Sequence, residues 1–172
     1  MENQKIAEKL YREGIKVEQY FAGLSGPRIR IDVYQEGQSW QIRDVLAHFI
    51  SAESSFLKLF ENIRNGGGGS PEDFSINEYN DSNVLKMRQI AFEKLITLFH
   101  ETRSQTVEWL KSISEDDFEI IGRHPAMGVV SLGEMVKMIY IHNQMHLRDI
   151  RIAIDAVLND NGELAGVENT DK

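Results

Sequence analysis

His142 and His146 stand four residues apart in the run His142-Asn143-Gln144-Met145-His146. On a helix this spacing puts both rings on one face, about 40° apart at ~100° per residue. Met135, Met138, Ile139 and Ala153 share that face, which marks it as the inward stripe of an amphipathic segment. Two imidazoles pointing into a core need hydrogen-bond partners or a shared cation. Two readings follow: a metal site of the kind built inside helix bundles, or a pair of hydrogen-bonded core histidines. Zinc-protease chemistry is excluded, because Asn143 stands where that motif places its catalytic Glu.

A metal would need a third ligand from another element, and His48 is the best candidate. Its segment carries an apolar stripe centred near Ile42, Phe49, Phe56 and Phe60. His48 lies about 120° from that centre at ~100° per residue, so periodicity alone puts it on a surface flank. Three neutral imidazoles leave coordination positions for water or substrate, the arrangement of a catalytic site. All-nitrogen ligation suits Zn²⁺, Ni²⁺, Cu²⁺ or Fe²⁺ better than Mg²⁺ or Ca²⁺.

Other side chains divide between chemistry and structure. Asp149, three residues after His146 on the same face, is placed to accept a ring N–H or to pair with Arg148 or Arg151. Glu53 falls near the centre of the second stripe, where a carboxylate acts as a general base or must pair with an arginine. Arg88 and Arg103 fall on the inward stripe of a third segment, suited to a substrate carboxylate or to Glu53. Asn80 reads as a helix cap. His100, on a helix flank, and His124, in a loop before Pro125, read as solvent-exposed. Met135, Met138 and Met145 read as core filler.

The elements that must position these residues are helical. Apolar residues recur at helical spacing over Asn3–Gly23, Trp40–Asn65, Asp81–Ile113 and Ser131–Leu158. Ser39 is a plausible N-cap for the second, and Ser131-Leu132-Gly133-Glu134 is a capping box for the last. The three prolines, Pro27, Pro71 and Pro125, all fall between these segments. Ile29–Tyr34 alternates but is short and isolated, and reads as loop. The connections, roughly 14 to 17 residues each, exceed those of simple antiparallel neighbours and allow crossovers. The expected fold is an all-α four-helix bundle with long crossover connections. It forms one domain over residues 1–158, with a flexible Gly-rich loop at 65–71 and a polar, acidic tail at 159–172.

Composition bounds the function. The 172 residues are 41% hydrophobic and 27% charged, ordinary for a soluble domain. With no cysteine, disulfides, thiolate metal sites and Cys nucleophiles are excluded. The net charge of −8 opposes phosphate and anionic lipid surfaces, so the expectation is no nucleic-acid partner and no membrane partner. The N-terminus lacks a signal-type apolar core, which points to a cytoplasmic protein.

The order of these features resembles the DinB/YfiT-like family of three-histidine four-helix bundles. The resemblance rests on Trp40 opening the second helix with His48 two turns on, on Glu78-Tyr79-Asn80 before the third, and on Ser131-Leu132-Gly133-Glu134 followed by His142 and His146. It runs from about Lys5 to Val157. It implies a divalent metal, Zn²⁺ or Ni²⁺ with Fe²⁺ as the alternative, held by His48, His142 and His146. It also implies hydrolase or thiol-transferase chemistry on a small electrophilic substrate, by metal-bound water or the thiolate of a low-molecular-weight thiol. Glu53 and Asp149 are then the candidate catalytic carboxylates. The rival readings are a metal-dependent small-ligand-binding or stress protein without turnover, and a metal-free structural bundle. C₂ symmetry being commonest among oligomers, a homodimer is expected.

Overall fold

The structure, a computed structural model, describes residues 2–167. Four long helices form the bundle: α1 (Glu2–Ala22), α2 (Ile42–Arg64), α4 (Phe92–Ser112) and α5 (Leu132–Val167), with a short α3 (Ile76–Met87) before α4. Two small antiparallel ribbons occupy the long connections, β1 (Asp32–Tyr34) with β2 (Trp40–Gln41), and β3 (Ile121–His124) with β4 (Gly128–Ser131). No described helix is long and apolar enough to cross a membrane.

The bundle core is two apolar clusters separated by a polar layer. One gathers Phe21, Phe49, Phe99, Leu147 and Ile150; the other gathers Leu10, Phe60, Leu110, Leu132 and Met135. Between them along the helices come Glu53, Arg103 and Asn143. Arg103 donates from Nε and Nη2 to the two Glu53 oxygens at 2.8 and 2.9 Å, from Nη2 to Asn143 Oδ1 at 2.7 Å, and from Nη1 to the Leu10 carbonyl at 2.9 Å. Burial of a charge pair is tolerated only with such complete satisfaction. The layer ties all four long helices together. Of the two roles open to Glu53 and Arg103 in the sequence, the structure has them as each other's partners.

Helix starts follow the local signals. Ser131 and Glu134 form the expected capping box, with Ser131 N–H to Glu134 Oε2 at 3.0 Å and Glu134 N–H to Ser131 Oγ at 3.3 Å. The cap of α2 is Gln41 rather than Ser39, its N–H held by Asp44 at 3.0 Å.

Elsewhere the structure departs from the sequence expectation. The predicted helix over Asp81–Ile113 is two helices, broken at residues 88–91 although no Pro or Gly lies there. Arg43 of α2 donates to the carbonyls of Arg88 and Ile90 at 3.0 and 2.6 Å, satisfying orphan acceptors of the break, while Arg88 turns back onto Asp44 at 2.9 Å. Tertiary partners make the break. Asn80, expected as a cap, sits inside α3, and β1 occupies half of the stretch expected to be loop.

The Gly-rich loop is also more ordered in its contacts than its composition implies. Gly68 O accepts from Arg123 N at 3.0 Å and Ser70 N donates to Arg123 O at 2.8 Å, so the loop lies along β3. Gly69 has φ +91, and a Cβ there would sit 2.4 Å from the Arg123 carbonyl oxygen, so only glycine fits. α5 continues past Leu158 to Val167 where the tail was expected, and residues 168–172 of that tail lie outside the described residues.

The buried Glu53–Arg103 pair makes an energetic prediction. Glu53→Leu or Arg103→Met alone costs about 3–5 kcal/mol by stranding a buried partner. In the double variant the second substitution costs clearly less than it does alone, read as coupling in a urea-denaturation cycle. Additive costs would show that the pair does not act as a unit.

Candidate metal centre

His48 belongs to the second turn of α2, and its burial follows from what surrounds that turn. From Asp44 to Ile50 every residue of α2 is buried, so the helix has no solvent face there. The β1–β2 ribbon and α3 cover the flank that periodicity assigned to the surface. Trp40 of β2 lies over His48 with ring centroids 4.9 Å apart, its indole N–H donating to Asp81 of α3 at 2.9 Å. His48 is 3% exposed.

Across from it, α5 presents His142 and His146 one turn apart. The Nε2 atoms converge: His48 to His142 at 2.9 Å and His146 to His142 at 3.0 Å. One ligand atom from each histidine falls within 4.8 Å of the others.

Proton positions decide what this contact means. Tyr34 of β1 donates its hydroxyl to Asp149 Oδ2 at 2.8 Å and lies 2.6 Å from His146 Nδ1. Burial, and then the hydrogen bond and charge of Asp149, push the Tyr34 phenol well above its ordinary range, so it stays protonated. With its proton committed to Asp149, the Tyr34 oxygen accepts from His146 Nδ1–H. His146 therefore turns a bare Nε2 lone pair toward His142.

The ring protons cannot satisfy both contacts. One proton on His142 Nε2 cannot lie along the lines to His48 and His146 at once. A proton on His48 Nε2 instead leaves His142 and His146 lone pair to lone pair. If His48 is protonated on Nδ1, that nitrogen is buried without a partner among the described residues. A shared cation relieves both contacts at His142 Nε2, so the residues present fit a divalent metal, while the His48 Nδ1–H stays without a partner among the described residues.

Electrostatics agree. Burial, with the neighbouring rings adding to it, lowers His142 to about 3 and holds His48 well below its ordinary value. Burial lowers His146 to about 4, partly opposed by Asp149. All three rings are neutral near pH 7, as ligation requires. Burial pushes Asp149 up, but the hydrogen bonds from Tyr34 and Arg148 outweigh it and hold the carboxylate below its ordinary range.

Two openings adjoin the cluster. A cavity of about 390 Å³ with mostly apolar walls, including Phe56, Leu59, Phe74 and Met138, is bordered by His48 and His142. A groove of about 540 Å³ with mixed polar and apolar walls is lined by Tyr34, Trp40, Glu36, Asp81 and all three histidines, among others. Asn80 belongs to both.

The structure thus brings His48, His142 and His146 together, with Asp149 one step removed through Tyr34 and also bonded to Arg148 at 2.9 Å. Glu53 borders neither opening. His100 is exposed and pairs with Glu18 at 2.9 Å, as its flank position implied. His124, expected in solvent, is 2% exposed, because the hairpin and Phe56 cover it. Met145, expected in the core, is 48% exposed. Sequence reasoning missed Tyr34, although the alternation of Ile29–Tyr34 carried the signal.

Several solved structures share the fold. YfiT from Bacillus subtilis, described as a probable metal-dependent hydrolase with an unusual four-helix bundle topology, superposes with a TM-score of 0.72 at 14% identity, over 90% of this chain and 87% of that one. A mycothiol-dependent maleylpyruvate isomerase matches with a TM-score of 0.64 at 15% identity, over 90% of this chain and 59% of that one. The colibactin self-resistance protein ClbS, in complex with a dsDNA, matches with a TM-score of 0.62 at 14% identity, over 88% of this chain and 94% of that one. At these identities the likeness is one of fold. The ClbS complex corrects the exclusion of nucleic acid drawn from charge, since a protein of this fold does meet duplex DNA. Net charge averages the whole surface, whereas a duplex meets one patch of it. No curated protein matches the chain in sequence. The model of the DinB superfamily matches residues 13–150, and the chain belongs to that superfamily.

Proposed function

We propose that this protein is a divalent-metal-dependent enzyme acting on a small electrophilic substrate, with His48, His142 and His146 as the ligands of Zn²⁺ or Ni²⁺, or of Fe²⁺. The observation that carries the reading is the convergence of three neutral Nε2 atoms with the His146 proton held away on Nδ1. When bound, the metal lowers the pKa of water toward ~7 or holds a low-molecular-weight thiol as thiolate, giving hydrolase or thiol-transferase chemistry.

The chain's own residues set the stage. Tyr34 and Asp149 fix the tautomer and orientation of His146, so Asp149 acts as a positioning residue through Tyr34. Trp40 orients His48 and screens it from water. A mostly apolar cavity and a separate groove of mixed lining both reach the cluster, which favours reaction between an apolar electrophile and a separate nucleophile over sequestration of a single ligand. Ile141, Met145 and Ile152 are exposed on α5, which supports the homodimer within this reading.

Calorimetric titration of tag-free, metal-stripped protein with Zn²⁺ or Ni²⁺ tests the proposal. It is expected to show one equivalent bound. Tyr34→Phe weakens binding by about 10- to 100-fold, the usual effect of losing a ligand's hydrogen-bond partner, and His48→Ala weakens it further. Absence of binding, or wild-type affinity in His48→Ala, rejects the proposal.

The metal-free protein makes a second prediction. Unfolded histidines take up protons below about pH 6.5, while folded His146 and His142 resist down to about 4 and about 3. The unfolded state thus binds more protons in this window, and stability is lost as pH falls. The expected loss is ~1.4 kcal/mol per pH unit for each histidine. Urea midpoints in the presence of EDTA, between about pH 6.5 and 5, measure it. A flat profile would contradict the neutral, buried state of the rings.

A further inference from the structure

One buried titratable side chain beside the triad has no part in it. His124, at the end of β3, borders the apolar cavity shared with His48 and His142. Its Nδ1 accepts from the backbone N–H groups of Ala126 at 3.1 Å and Met127 at 3.3 Å. Two N–H donors aimed at one ring nitrogen leave no place for a proton there, so the ring carries its proton on Nε2. Burial keeps the ring from gaining a second proton. That Nε2 is buried and has no hydrogen-bond partner among the described residues. The turn between β3 and β4 therefore fixes His124 as a donor, and no described residue receives it.

An unmet N–H buried in a native protein is costly to leave so. The surroundings say what would meet it. Ala52, Phe56, Leu59, Pro71, Phe74 and Met138 contribute to the cavity of about 390 Å³, and the Phe56 ring lies 5.1 Å from the His124 ring. Such walls take an aromatic or branched-alkyl body, and among the polar groups that also line them (Ser55, Lys58, Tyr79 and Asn80 included) the buried, unmet donor is His124 Nε2–H, which sets that body's orientation. The acceptor is a neutral one. A carboxylate at Nε2 would exchange its hydration for one uncharged N–H, a poor return where the charged side chain on the lining, Lys58, is an exposed one.

We propose that His124 is a ligand-binding residue, its Nε2–H donating to the carbonyl oxygen of a small apolar ketone, ester or amide held in this cavity next to His48 and His142. Calling that ligand a substrate rests on the reading of the triad given above; the donor itself needs no metal.

A matched pair of probes tests the assignment. Acetophenone and ethylbenzene have nearly the same shape, and only the first has a carbonyl. Their dissociation constants are measured by NMR on the wild type and on His124→Asn, in metal-free and in zinc-loaded protein. Asn keeps an acceptor near the Nδ1 position for the turn but has no donor reaching the Nε2 position. The ratio of the ethylbenzene constant to the acetophenone constant is expected to fall by about 3- to 10-fold in the variant, the size of one neutral hydrogen bond.

A ratio that stays within about twofold of the wild type, or a wild type that binds neither probe, overturns the proposal. Should the variant not fold, the Nε2–H resonance of wild-type His124 decides. It is expected to move with acetophenone and not with ethylbenzene, and an equal response to both overturns the proposal. Failure to bind zinc would defeat the metal reading while leaving the comparison in metal-free protein intact.

Discussion

Three neutral imidazoles held nitrogen to nitrogen, away from water, are the constraint on which the site depends. Ordinary hydrogen bonding cannot relieve both contacts at His142, because the only proton of His146 is already given to Tyr34. Each ring was chosen neutral by burial, and neutrality is what a metal demands of an imidazole ligand. The arrangement costs folding energy in the bare chain, which a cation binding the folded state alone would recover.

The rest of the molecule holds that arrangement in place. Asn143, adjacent to His142, is gripped by Arg103, which is itself clamped on Glu53 and on the Leu10 carbonyl. This grip sets the roll of α5, so its histidine face turns toward α2. From outside, the β1–β2 ribbon delivers Tyr34 to one ring and Trp40 to another. The buried ion pair thus has a geometric role as well as an energetic one. Helix break and ribbon serve the same end, since α3, free to leave the line of α4, supplies Asp81 to anchor Trp40.

The long helices and the α5 pair were legible because periodicity reports burial wherever a helix has one wet face. His48 was not legible by that route, since α2 is enclosed on all sides where it stands; only the resemblance to a family placed it. The split of α3 from α4 left no local trace, being made by Arg43 reaching from a helix far away in sequence. Tyr34 and His124 were lost for a shared reason. Both sit on short two-stranded ribbons, where an alternation such as that of Ile29–Tyr34 says nothing of a residue's partners, and both matter through partners supplied by the fold. Glu53 was legible as a buried carboxylate, but its partner was open until Arg103 was seen opposite it.

X-ray absorption at the metal edge of zinc-loaded, tag-free protein examines the central claim most directly. Three imidazole nitrogens are expected at about 2.0–2.1 Å, with oxygen or sulfur ligands completing the shell. A shell with fewer than three imidazoles, or one unchanged when His48 is replaced by alanine, would contradict it.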